Sequence, residues 1–138
     1  MKVNPYLNYG GNCEQAFRFY EQHLGGKIVA MMKHGEQPGP KDPAAPEGIL
    51  YAHMIFDGTE IMGNDVAPAR FQPMRSVYLS LAVSSIEEAE QVHSLLGEGG
   101  EIFMPMQETF FAFRFSMLRD RFGTSWMIIN QRPMPQNA

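Results

Sequence analysis

At 138 residues, 44% of them hydrophobic and 19% charged, the chain can bury a core without external staples, and its length suits one domain or two small halves sharing a core. A net charge of −4 with interspersed signs supplies no basic stripe, so sequence-independent nucleic-acid binding is not expected. No apolar run approaches the ~18 to 20 residues of a spanning helix, the amino terminus has no charged-then-apolar leader pattern, and Cys13 is the single cysteine. The expectations are a cytoplasmic protein with no membrane partner, no intrachain disulfide and no cysteine-rich zinc site.

Val3 to Tyr9 reads as a strand, broken by Gly10-Gly11. Asn12 and Gln15 then stand at capping-box spacing, and Cys13, Ala16, Phe17, Tyr20 and Leu24 share one helical face before Gly25-Gly26 ends the helix. Lys27 to His34 is a second strand. Gly35 to Gly48, with prolines at 38, 40, 43 and 46, can hold neither ladder nor helix and is expected to be an exposed loop. Ile49 to Phe56 and Thr59 to Asn64 flank Asp57-Gly58, a strong hairpin signal. The sequence predicts a first module over 1–66 and a linker over 67–75, where Pro68 and Pro73 interrupt the pattern.

The second module, 76–132, repeats that order. Val77 to Val83 is a strand, Ser85 and Glu88 form a capping-box pair, and Ala89, Val92, Leu95 and Leu96 line one face of a helix stopped by Gly97, Gly99 and Gly100. Glu101 to Met106 is a strand. Phe111, Phe113, Phe115 and Met117 alternate with Ala112, Arg114, Ser116 and Leu118, and a turn at Arg119 to Gly123 leads into Thr124 to Asn130. Aligning Asn12 with Ser85, and Leu24 with Leu96, gives a shift of roughly 72 residues, so the chain reads as a duplicated βαβββ module. A four-stranded sheet with one helix leaves its second face uncovered, so pairing two such sheets would bury that face or create a cleft between them.

Pro5 to Tyr20, Leu24-Gly25, Gln107 to Phe111 and Asp120-Arg-Phe-Gly-Thr-Ser-Trp-Met127 together resemble the PhnB-like branch of the vicinal oxygen chelate superfamily, which includes glyoxalases, bleomycin-resistance proteins and extradiol dioxygenases. The resemblance spans nearly the whole chain. It implies an α+β fold in which two βαβββ modules form an open, cup-shaped mixed β-sheet, and it implies a homodimer. In the metalloenzymes of the superfamily, inward-pointing residues of both modules hold a divalent metal; the resemblance puts Pro5, His53, Tyr78 and Met127 at those positions. Proline has no side-chain donor and a thioether is a soft, weak one, so no cofactor is expected, the divalent-metal alternative requiring Glu108 as a second ligand beside His53.

His53 shares a strand face with Tyr51 and Ile55, opposite Leu50, Ala52 and Met54, so one face packs on the helix and the other looks into the cup. His53 and Glu108 are the candidates for acid-base chemistry. Tyr78 and Ser80 are candidate hydrogen-bond donors to a ligand oxygen, and Arg114 is the candidate for holding an anion, with a surface pair to an acidic neighbour as the plain alternative. Phe111, Phe113 and Trp126, with the methionines, would line an apolar site. Three functions compete: a small-molecule protein with metal-independent acid-base chemistry, a non-catalytic sequestering protein of the bleomycin-resistance type, and a metal-dependent lyase, isomerase or dioxygenase with a degenerate site. A demethylubiquinone methyltransferase label also attached to this branch gains nothing from the residues, because Gly10-Gly11 opens a short helix outside a dinucleotide-type sheet.

Overall fold

The computed structural model describes residues 1–39 and 47–133, and the proline-rich centre of the expected loop, 40–46, lies outside the described residues. The chain divides into two compact units, Met1–Pro73 and Met74–Ala138. Each is a βαβββ module. The first comprises β1 (Tyr6–Tyr9), α1 (Cys13–Leu24), β2 (Lys27–Lys33), β3 (Ile49–Phe56) and β4 (Thr59–Asp65), in sheet order β1-β4-β3-β2. The second comprises β5 (Leu79–Ala82), α2 (Ile86–Gly97), β6 (Glu101–Gln107), β7 (Ala112–Arg119) and β8 (Ser125–Gln131), in order β5-β8-β7-β6. In both, the first and last strands run parallel while the remaining pairs are antiparallel. Among the described residues no helix is long and apolar enough to cross a membrane.

In the first module, α1 buries Cys13, Ala16, Phe17 and Tyr20, the stripe that three-and-four spacing dictates. Phe17 meets Tyr9 of β1 edge-on, with centroids 6.2 Å apart. Gly63 of β4 permits this approach: a Cβ there would lie 2.9 Å from the Leu7 carbonyl oxygen and 3.0 Å from the Phe17 ring. Gly25 ends the helix in the left-handed region, at φ 81°. The Asp57-Gly58 turn has positive φ at both residues, 33° and 89°, which matches the twist of the hairpin it closes.

The expected cap at Asn12 is not formed, because its side chain makes no cap hydrogen bond. Asp65, the last residue of β4 and only 3% exposed, does that work from across the module. Its Oδ1 accepts from Gly11 N at 2.8 Å and Cys13 N at 3.0 Å, and its Oδ2 accepts from Ile49 N at 2.9 Å. A carboxylate at a helix amino terminus also complements the helix dipole. In the second module the cap is the expected one, Ser85 Oγ accepting from Glu88 N at 3.0 Å. A buried carboxylate again ties the module, here at the turn after β7: Asp120 Oδ1 accepts from Phe122 N at 2.9 Å and Thr124 N at 3.0 Å, and Oδ2 from Trp126 Nε1 at 2.9 Å.

Several boundaries differ from expectation. β1 begins at Tyr6 rather than Val3, which is 90% exposed, and His34–Glu36 forms a 3₁₀ turn where a strand end and an irregular loop were expected. Val77 lies outside β5, which begins at Leu79, and is 67% exposed. The expected linker contains a short 3₁₀ turn, Pro68–Arg70, followed by Phe71, whose ring packs close to Gly10.

Candidate functional site

Period two divides each sheet into a face against its own helix and a face turned away. On β3, Ala52 and Met54 are fully buried on the α1 side, so Tyr51, His53 and Ile55 occupy the other face. The two-residue turn fixes the register: Phe56 opposes Thr59, Ile55 opposes Glu60, and His53 opposes Met62. Glu60 therefore sits one diagonal step from His53. Tyr6 of β1 opposes Met62, and Asn8 opposes Asn64, on the same face.

This arrangement gives His53 two polar neighbours. Its Nδ1 lies 3.3 Å from the Tyr51 hydroxyl, and its Nε2 lies 3.8 Å from Glu60 Oε1. The second distance is too long for a hydrogen bond but short enough for charge to act. His53 Nε2 and Asn64 Oδ1 are both buried polar atoms with no hydrogen-bond partner among the described residues. Glu60 is held from the other side, where Oε2 accepts from Lys2 Nζ at 3.0 Å and Asn4 Nδ2 at 3.1 Å. The Lys2 ammonium, foremost, and His53 hold the Glu60 carboxyl below its usual range. Burial, with smaller contributions from the Cys13 and Tyr51 side chains, pushes the Tyr6 phenol up.

The candidates of the second module fall on two faces. Ala112, Ser116 and Leu118 are fully buried against α2, where Ser116 Oγ lies 2.9 Å from His93 Nδ1. Arg114 shares that side, and its Nε donates to Glu90 Oε1 of α2 at 3.0 Å, the plain alternative of the sequence reading. Trp126 opposes Leu118 and is 2% exposed, with its indole N–H given to Asp120, so it belongs to the helix-side core. The face of β7 carrying Ala112, Arg114, Ser116 and Leu118 is thus the one that meets the helix, because small Ala112 and Ser116 let α2 approach. The aromatic face, with Phe113, Phe115 and Met117, is the one turned away.

On that other face stand Phe113, Phe115 and Met117 of β7, with Met127 and Ile129 of β8 opposite Met117 and Phe115. Ser80 of β5 opposes Met127. Phe111 meets Phe115 edge-on at 5.1 Å, and Arg132 lies over the Phe113 ring at 4.5 Å. Tyr78, just before β5, meets Phe103 edge-on at 6.4 Å. Glu108 is engaged by Arg132 Nη2, whose Nε also donates to the Thr109 carbonyl at 3.1 Å. Within its own module each acid-base candidate therefore has another partner: His53 has Tyr51 and Glu60, and Glu108 has Arg132.

The four positions implied for a metal do not fit one. Pro5 contributes only its carbonyl, which accepts from Met62 N at 3.1 Å, and Met127 offers a thioether. Among the described residues no three His, Cys, Asp or Glu side chains gather as a metal-holding cluster. Among the described residues the carboxylate near His53 is that of Glu60, and Lys2 and Asn4 already engage it.

Glu60 and Asn64 are not among the residues expected at the site, although a signal exists, whereas Tyr51 stands on the face of His53 as its alternation implies. Once Asp57-Gly58 is taken as a two-residue turn, counting back along both strands puts Glu60 diagonal to His53.

A family model described as 3-demethylubiquinone-9 3-methyltransferase matches residues 1–129. Protein YjdN of Escherichia coli is 32% identical over 145 residues, which cover 96% of this chain and 99% of that protein. Among solved structures, protein PA1353 from Pseudomonas aeruginosa is similar at a TM-score of 0.88 and 37% identity, covering 96% of this chain and 99% of that one. A putative 3-demethylubiquinone-9 3-methyltransferase, PhnB protein, from Bacillus cereus follows at 0.80 and 25%, with 94% and 99% covered. A glyoxylase/bleomycin resistance protein/dioxygenase domain from Frankia sp. EAN1pec shares the fold at 0.66 and 18% identity, with 98% and 95% covered.

Proposed function

Since the chain belongs to the PhnB-like family described as 3-demethylubiquinone-9 3-methyltransferase, on the fold of glyoxalase and bleomycin-resistance proteins, we propose that it binds a small organic molecule on the sheet face carrying His53 and moves a proton there without a metal. The observation that carries this reading is His53 Nε2, buried, without a hydrogen-bond partner among the described residues, and 3.8 Å from a carboxylate oxygen. With Nδ1–H donated to the Tyr51 oxygen, Nε2 presents its lone pair as a base. The imidazolium formed by taking a proton is then stabilised by Glu60, which stays ionised because Lys2 and Asn4 hold it. Asn64 supplies a further unfilled acceptor for a ligand hydroxyl or amide.

Methyl transfer, named in the family's description, finds little support at the turn that would resemble a nucleoside site. There the Gly11 and Cys13 N–H groups are already given to Asp65, and the Phe71 ring packs close to Gly10.

The test is solvent exchange. Small carbonyl compounds with acidic C–H bonds, 1,3-cyclohexanedione and pyruvate among them, are incubated in D₂O with wild type and with His53→Gln, and proton NMR follows deuterium incorporation. Exchange accelerated by wild type and lost in His53→Gln supports the base. Saturable binding with no accelerated exchange in wild type would instead favour the sequestering reading, for which the Phe- and Met-rich face of the second module speaks.

A further inference from the structure

The second module carries a cation that the chemistry at His53 does not use. Arg119 closes β7 two residues beyond Met117, on the face turned away from α2. Its Nη2 donates to the Met74 carbonyl at 3.3 Å, and its guanidinium carbon lies 5.4 Å from the centroid of the Phe103 ring. Its Nε is buried and has no hydrogen-bond partner among the described residues. The other arginines of this sheet have acids, Arg114 with Glu90 and Arg132 with Glu108, whereas among the described residues no carboxylate pairs with Arg119. A buried, charged donor left unfilled is costly, and an arriving oxyanion relieves that cost.

The surroundings define the rest of the ligand. A bulge between Ile102 and Met104 leaves Phe103 as the extra residue of β6 and turns its ring toward Arg119. Tyr78 comes from the opposite edge of the sheet, three strand spacings or roughly 14 Å away along a flat surface. Its ring nevertheless meets Phe103 at 6.4 Å, so the two aromatics reach toward each other beside the guanidinium. Beyond them, Met117, Met127 and Phe115 form an adaptable apolar floor.

We propose that Arg119 is the anion-holding residue of a ligand site on the second module, whose occupant is a small aromatic carboxylate. The carboxylate oxygen accepts from the Arg119 Nε–H, and the ring lies on the apolar floor. This site uses different atoms from those around His53 and does not depend on proton transfer there.

The probes are 1-naphthoate and its uncharged counterpart 1-naphthylmethanol, titrated calorimetrically into the full chain. The expected result is saturable naphthoate binding that Arg119→Gln weakens about tenfold or more, while naphthylmethanol binding changes less than about twofold. Arg114→Gln, the control, leaves naphthoate affinity unchanged. In the wild type, naphthoate shifts the Arg119 Nε–H resonance, a readout that needs no disruptive variant; Arg119→Lys, which keeps the charge, assigns that resonance and binds with intermediate affinity. Equal naphthoate affinity in wild type and Arg119→Gln would overturn the proposal. So would the absence of both heat and resonance shift up to millimolar probe. A drop in sedimenting mass in Arg119→Gln, with no naphthoate binding in wild type, would assign the face to a second copy of the chain and overturn it equally.

Discussion

Replacing Asp65 tests the claim that one side chain from the last strand of the first module holds its helix start and its third strand together. Asp65→Ala removes acceptors at 2.8, 3.0 and 2.9 Å from Gly11, Cys13 and Ile49 N–H groups. A hydrogen bond to a charged group contributes about 1.5–3 kcal/mol, and the donors of Cys13 and Ile49 are buried, so these two account for about 3–6 kcal/mol. The Gly11 N–H is part-buried and can recruit water, so its share is smaller. Loss of the negative charge at the amino end of α1 adds about 0.3–1 kcal/mol. Against a typical total of about 5–15 kcal/mol, the alanine variant forfeits a large fraction. Asp65→Asn retains Oδ1 but turns an amide N–H₂ toward Ile49 N, so one bond is lost, about 1.5–3 kcal/mol. Urea denaturation followed by far-UV circular dichroism measures both, since Trp126 fluorescence reports the second module. An alanine variant within about 1 kcal/mol of wild type would refute the reasoning.

Other outcomes are equally checkable. Gly63→Ala forces a Cβ to within 2.9 Å of the Leu7 carbonyl oxygen and against Phe17, and overpacking of this kind should cost about 1–3 kcal/mol in the same urea assay. Cys13, fully buried and with its thiol pushed up by burial foremost, should react with a disulfide reagent only after denaturant is added; labelling of the native protein at the rate of a free thiol would contradict the packing. Burial holds His93 below its usual 6.5, with neighbouring Glu90, itself paired with Arg114, opposing the shift. The unfolded state then binds the proton more readily, so the His93 contribution is complete above about pH 6.5 and lost as pH falls through the lowered value. His93→Gln should flatten the acid limb of the stability profile between pH 7 and 5. A homodimer is the assembly proposed from the family resemblance; sedimentation equilibrium giving a monomer at high micromolar concentration would exclude it.

The elements were legible because each carries its own period. The α1 stripe of Cys13, Ala16, Phe17 and Tyr20 and the alternation along β3 are local patterns that burial respects. The repeat was legible for the same reason, and the matching orders β1-β4-β3-β2 and β5-β8-β7-β6 are its structural form. Long-range ties were not legible. Nothing near Asn12 announces that Asp65 caps its helix, because that bond depends on β1 and β4 lying parallel. Which face of β7 meets α2 was equally hidden, since alternation separates two faces without saying which is covered. Arg114 and Trp126 consequently moved from the expected ligand site to the helix side, while Arg119, read as a turn former, came to occupy the other.

The parallel pairing of first with last strand sets a timetable for synthesis. Helix α1 is complete in the nascent chain at Leu24, yet the carboxylate that caps it arrives only with Asp65, about 40 residues later. At ~5–20 residues per second that is an interval on the order of 2–8 s, during which Gly11 and Cys13 N–H groups must rely on water. The apolar stripe of α1 likewise waits for β3 and β4. The same interval recurs in the second module, where β5 waits for β8, although there Ser85 caps α2 at once. A ribosome stalled before residue 65 should therefore display a protease-sensitive first module, and one stalled well beyond it a protected one.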